Sequence, residues 1–127
     1  MRAYLAISHG ELLDFMQSGT MNVDSIFAAT PFFTGENEEL DEEEIEYLLS
    51  FEAATKSLEL RSSDTSPGIV LAIELSAGQV NVVGEKSVSL NSALLWEQIQ
   101  CALLLYPEDE ELIKRYENKK KSRLIYI

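Results

Sequence analysis

Cysteine and histidine are almost absent from this chain, and cationic side chains are scarce over most of its length. Cys101 is the single cysteine, so no disulfide can form within the chain. It lies in the apolar run 101–105, with no helix N-terminus or basic cluster beside it to lower its pKa. The expected state is a buried small hydrophobe. His9 is the single histidine, which excludes a histidine-dependent triad or a multi-histidine metal site within one chain. Near a helix start it reads as a solvated first-turn residue. The functional alternative is an acid/base group beside Ser8 and Glu11. No segment approaches the roughly 20 apolar residues that span a bilayer. Residues 1–7 meet the polar Ser8–Glu11 too early to supply a secretory segment, so the cytoplasm is the expected compartment. A Gly-x-Gly-x-x-Gly loop, a Walker loop and a serine or cysteine nucleophile in a known setting are all missing.

What is present is the material of one globular domain. The chain has 127 residues and is 46% hydrophobic, enough to bury a core without a disulfide or metal staple. Its net charge of −12 is unevenly spread. Residues 1–113 carry four basic side chains (Arg2, Lys56, Arg61, Lys86) against 21 acidic ones. Residues 114–127 carry six basic side chains and one acid, Glu117. So acidic a body repels phosphate backbones, which argues against nucleic-acid binding outside the tail.

Residues 2–7 form an apolar, aromatic and β-branched run that predicts a first strand. Ser8 and Glu11 match a capping box, and Leu12, Leu13, Phe15 and Met16 follow at helical spacing, with Gly19 suited to end the helix. Residues 24–30 predict a second strand stopped by Pro31, and residues 32–37 a loop. The longest predicted element is a helix over about 39–60 with two apolar arcs. Leu40, Tyr47, Phe51, Ala54 and Leu58 form one; Ile45, Leu49, Ala53 and Leu60 form the other. Two such sides imply a helix covered on both, by the sheet and by a further element or a second subunit. Residues 61–68 form a surface loop, 69–75 a third strand, 76–79 a hairpin turn, and 80–83 a fourth strand, with a short further strand over 86–90. Residues 91–106 are ambiguous between helix and turn plus strand. Pro107 opens an amphipathic helix over 108–118, and residues 123–127 suit an edge strand or docking segment.

Several segments resemble a family of small uncharacterised actinobacterial proteins. Its members begin Met-Arg-Val-Tyr and carry Ala-Val-Thr-Pro, Glu-Glu-x-Glu-Tyr and Val-Val-x-Ala-x-x-Val segments. The matching residues are Arg2-x-Tyr4-Leu5, Phe27-Ala28-Ala29-Thr30-Pro31, Glu42-Glu43-x-Ile45-Glu46-Tyr47, Ala53-Ala54-x-x-Ser57-Leu58 and Ile69–Leu75. The resemblance covers about residues 1–112. It implies a strand rather than a helix for 99–106, and it implies no activity.

The expected fold is therefore a single α+β domain over residues 1–118, followed by a basic tail over 119–127. A mixed or antiparallel sheet of four to six strands carries one long helix, with shorter N- and C-terminal helices. Eight acids crowd the eleven positions 36–46. Carboxylates suit a helix N-terminus, but eight exceed what capping needs, and pairs such as Glu38 and Glu42 repel. The run lacks the order of a calcium loop, so no metal site is assigned. Glu38, Glu39, Glu42 and Glu43 are the candidate interaction surface, with Lys119, Lys120 and Lys121 of the tail as their complement within one chain or across a dimer. Glu74 interrupts an apolar strand and has two readings. One is a solvent-facing strand end. The other is a charge in a nucleotide cleft with Arg2, Tyr4 and Thr30, by analogy with ADP-ribosyltransferase-like folds. The leading expectation is a non-enzymatic interaction or regulatory domain that needs no cofactor and binds either a protein partner or its own copy. The alternative is a small NAD- or nucleotide-binding protein.

Overall fold

A computed structural model describes residues 1–106. The predicted helix over 108–118, the tail with Lys119, Lys120 and Lys121, and the segment 123–127 lie outside those residues. Strands β1 (Arg2–Ile7), β3 (Ile26–Ala28), β4 (Gly68–Glu74), β5 (Val80–Val83), β6 (Ser87–Leu90) and β8 (Ile99–Leu105) form one sheet in the order β5-β6-β3-β1-β4-β8. Every pairing in it is antiparallel. Two short strands, β2 (Thr20–Met21) and β7 (Leu94–Leu95), pair separately.

The alternation of side chains along the central strands divides the core in two. Ala3, Leu5 and Ile7 of β1 share one face with Ile69, Leu71 and Ile73 of β4. Helix α1 (His9–Ser18) covers that face, placing Phe15 edge-on to Trp96 with ring centroids 5.2 Å apart. Tyr4, Val70 and Ala72 point the other way, into Ile45, Leu49 and Ala53 of the long helix α3 (Glu42–Leu60). With both faces covered, β4 is apolar almost throughout, as the sequence shows.

Helix termini form where their caps dictate. Ser8 and Glu11 close a reciprocal capping box on α1, and Gly19 ends it at φ 79°, donating its N–H to Phe15 O at 2.8 Å. Asp41 and Glu44 make the same box on α3. The long helix thus begins at Glu42, leaving Glu39 and Leu40 in the preceding turn. Residues 31–36 are a helix, α2 (Pro31–Glu36), rather than the expected loop. The deciding feature is Thr30, whose side chain caps Phe33 N while Pro31 takes the first helical position, where its missing N–H costs nothing.

Three further expectations are corrected. Residues 76–79 are not a hairpin turn, because β4 and β5 lie far apart in the strand order. A short 3-10 turn over Ala77–Gln79 instead starts a crossover to the opposite edge. Cys101 is exposed, since β8 is an edge strand. Leu13 and Met16 of α1 face solvent, and Phe15 alone of that helix is fully buried. On α3 the sheet-facing arc is Ile45, Leu49 and Ala53. Tyr47 remains exposed and stacks edge-on with Phe51 at 4.8 Å.

Candidate functional site

The acidic run divides by role. Asp41 Oδ1 accepts from Glu44 N at 2.8 Å, so two of its carboxylates are spent on capping α3. Glu42 and Glu43 occupy the exposed first turn, where the helix dipole favours them. Glu38 and Glu39 are exposed in the α2–α3 turn. Glu38 also lines a shallow depression of about 620 Å³ with Met1, Pro31 and Leu40. Among the described residues no group of three or more His, Cys, Asp or Glu side chains is placed to hold a metal.

The four candidates for a nucleotide cleft do not share either of the two pockets described, although Arg2 and Glu74 meet. Arg2 and Glu74 are register partners at one end of β1 and β4, 3.9 Å apart, and Glu74 also takes the Met1 ammonium at 3.0 Å. That end of the strand is exposed. Tyr4 is buried on the α3 face, where burial first and the nearby Glu46 second raise its phenol pKa, with Arg2 opposing. Thr30 is fully buried, its hydroxyl donating to Glu85 O and accepting from Phe33 N, so it is committed to capping α2. Tyr4 borders a pocket of about 300 Å³ lined by residues of β1 and β3 beside their paired stretch. The pocket also includes Lys56 and Lys86 but neither Glu74 nor Thr30.

Two polar devices have no counterpart in the sequence reading. Gln79 and Gln98 face each other through their amides, at 2.7 and 3.1 Å. Gln79 also donates to Ala93 O, while Gln98 reaches Glu74 O and accepts from Leu95 N. This pair joins the start of β5 to the end of β4 and the start of β8. The second device is an ion pair of buried Glu52 with Lys86 at 3.0 Å, which ties α3 to the β5–β6 turn.

The remaining distinctive surface is β8. Its inner edge pairs with β4 from Gly68↔Leu105 to Ile73↔Ile99, with a bulge near Gln100. Among the described residues no strand pairs with its outer edge. Cys101 and Leu103 lie on the α3 side, opposite Ala72 and Val70; Ala102 and Leu104 lie on the other, opposite Leu71 and Ile69. Leu103 and Leu104 are 40% and 47% exposed, so both faces of the strand offer bare apolar surface. The stretch from Gln98 to Tyr106 contains no charged residue. Edge strands are ordinarily blunted by charge, proline, shortness or covering elements, and a long apolar edge is a template for pairing. Here the bulge is the one such device within the strand. The resemblance implies a strand for 99–106, and nothing in an apolar run distinguishes a central strand from an edge.

Among the described residues no helix is long and apolar enough to cross a membrane. No curated protein and no solved structure matches the chain. A family signature does match, over residues 1–119, and the chain belongs to that family, DUF6912, a family of unknown function.

Proposed function

We propose that this domain is a non-enzymatic protein-interaction module that accepts an extended partner segment along the outer edge of β8. The observation that carries the reading is that edge itself: seven residues, uncharged, apolar on both faces, and unpaired among the described residues. Strand addition draws affinity from main-chain hydrogen bonds and specificity from alternate side chains. Every second residue of an antiparallel edge strand turns its N–H and C=O outward. The acidic start of α3, with Glu38, Glu39, Glu42 and Glu43, supplies a second, electrostatic surface. Against a nucleotide-handling role stand the burial of Tyr4 and Thr30 and the exposed strand-end position of the Arg2–Glu74 pair, since a small-molecule site needs convergent polar groups in a concavity.

Two measurements on the full chain test this. Hydrogen exchange on dilute protein should show alternate amides of β8 exchanging fast. Slow exchange at all of them would mean that the edge is already covered, and the reading falls. Native mass spectrometry with NAD and ADP-ribose should show no retained nucleotide. A one-to-one complex would instead support the nucleotide reading.

A further inference from the structure

We infer that the pocket bordered by Tyr4 is a binding site for one small oxyanion, with a phosphate group the chemistry it fits best. The site goes beyond the β8 edge and does not depend on it. Nor is it the nucleotide cleft, since Arg2, Thr30 and Glu74 all lie outside it. The sheet itself opens the site. Ala28 gives its N–H to Lys86 O on the β6 side, so its neighbour Phe27 turns its own N–H and C=O toward β1, where Tyr4 stands opposite. The next β1 residue to face β3 is Ala6, two positions on. The β1–β3 register stops at Tyr4, whereas β1 continues against β4 as far as Ile7. The main chain of Ala6 is thus left at the wall of the pocket instead of in the ladder, where its N–H can donate to a bound ligand.

The side chains around that opening have the sign an anion needs. Tyr4, Phe27 and Ser87 are successive register neighbours across the sheet, and Lys56 borders the same pocket from α3. The lining includes Lys56 and Lys86 and no carboxylate, in a chain with 22 acidic and 10 basic side chains. Both ammonium groups keep donors to offer. Lys86 Nζ gives an N–H to Glu52 Oε2 at 3.0 Å, which fixes its position and engages one of the three donors an ammonium carries. Lys56 Nζ is 3.7 Å from Glu59, an ion pair too long for a hydrogen bond. Ser25 and Ser87 add hydroxyls that donate or accept, which suits an oxyanion that keeps a proton, as phosphate does. A volume of about 300 Å³ is at the small end of ligand pockets, room for a phosphate and a short ester chain. The net charge of −12 opposes anions at long range, so affinity is modest and a single phosphate is favoured over a polyphosphate.

The test is an amide NMR titration of the isotope-labelled full chain at neutral pH. Inorganic phosphate and glycerol phosphate are added separately and compared with sodium chloride at matched ionic strength. Two variants each remove one positive charge: Lys56→Gln from the pocket, and Arg2→Gln from the far end of β1. The inference expects saturable shifts centred on the Ala6 amide. Lys56→Gln should weaken binding about fivefold, the upper end for one exposed charge, and Arg2→Gln should stay near wild type. If glycerol phosphate saturates at the same or lower concentration, the ligand class is a phosphomonoester; if inorganic phosphate binds more tightly, it is the free ion. Shifts that never saturate, that chloride reproduces, or that centre away from Ala6, Phe27 and Ser87 overturn the inference. So does an unchanged affinity in Lys56→Gln, or an equal loss in both variants. Should Lys56→Gln fail to fold, the Ala6 amide of the wild type decides alone.

Discussion

Gly68 begins β4 directly against α3, and alanine there should be costly in a way that one other side chain controls. A Cβ built on Gly68 would come 2.5 Å from Ser57 Oγ and 3.2 Å from Ser57 Cβ and C. Ser57 is fully buried, with its hydroxyl donating to Ala54 O at 2.7 Å, so it has no open space to turn into. Overpacking of this kind typically costs about 1–3 kcal/mol, and the distance places Gly68→Ala in the upper half of that range. Ser57→Ala alone should cost at most about 1 kcal/mol, because the lost hydrogen bond goes to a carbonyl already within the helix. In the Ser57→Ala background the closest contact is gone and only the 3.2 Å approaches remain. There Gly68→Ala also gains about 0.4–1 kcal/mol by restricting the unfolded chain. The double variant should thus be more stable than the sum of the singles by about 1–2 kcal/mol, within the range seen for residues in contact. Urea unfolding of the four proteins measures this. Additive costs, or a Gly68→Ala variant as stable as wild type, would show that α3 does not approach β4 this closely.

Two further perturbations probe the candidate-site residues. The phenol of Tyr4 has its pKa raised by burial and by Glu46, so the folded state holds that proton more tightly than the unfolded state. Its contribution is fully present below the unfolded value of about 10 and is lost as pH rises through the folded value. Stability should fall more steeply above pH ~10 in wild type than in Tyr4→Phe, with little difference between them at pH 7. Denaturant curves across that range check the sign, and equal slopes refute it. Gln79→Ala should cost about 1–3 kcal/mol, because it strands the Ala93 carbonyl and one side of the Gln98 amide. Gln79→Glu should not rescue it, since a carboxylate cannot donate to either acceptor; thermal unfolding that shows Glu as stable as Gln would refute the network.

How much could be read in the chain follows from which features are local. Ser8, Glu11 and Gly19 framed α1 because capping geometry depends on residues three or four apart. The long helix and the central strands were legible through periodicity and continuous apolar character. Residues 31–36 were misjudged because Gly35 and Pro31 look like loop punctuation, while the Thr30 cap and the N1 proline that make α2 are helix signals at the same positions. The supposed hairpin at 76–79 failed for a different reason. Turn-forming residues say that the chain turns, not which strand it meets next, and the Gln79–Gln98 pair that anchors this crossover spans 19 positions. Glu74 was legible as a strand-end charge. Its Arg2 partner follows only once the β1–β4 register is known. The edge position of β8, and with it the exposure of Cys101, is a property of strand order, which no window of sequence contains.

The charge and the edge make more sense together than apart. A free apolar strand is an aggregation hazard for any protein, because it pairs with whatever strand it meets. Proteins usually remove the hazard by placing lysine or proline on the strand. This chain places neither lysine nor proline on β8 and carries a net charge of −12, so that long-range repulsion between copies is what opposes unspecific pairing of the edge. Long-range repulsion then sets how often copies meet, and the short-range fit of the strand sets which meetings last. Salt is then the variable that separates the two terms: screening should raise unspecific association of the wild-type chain but not of a variant whose edge carries its own charge.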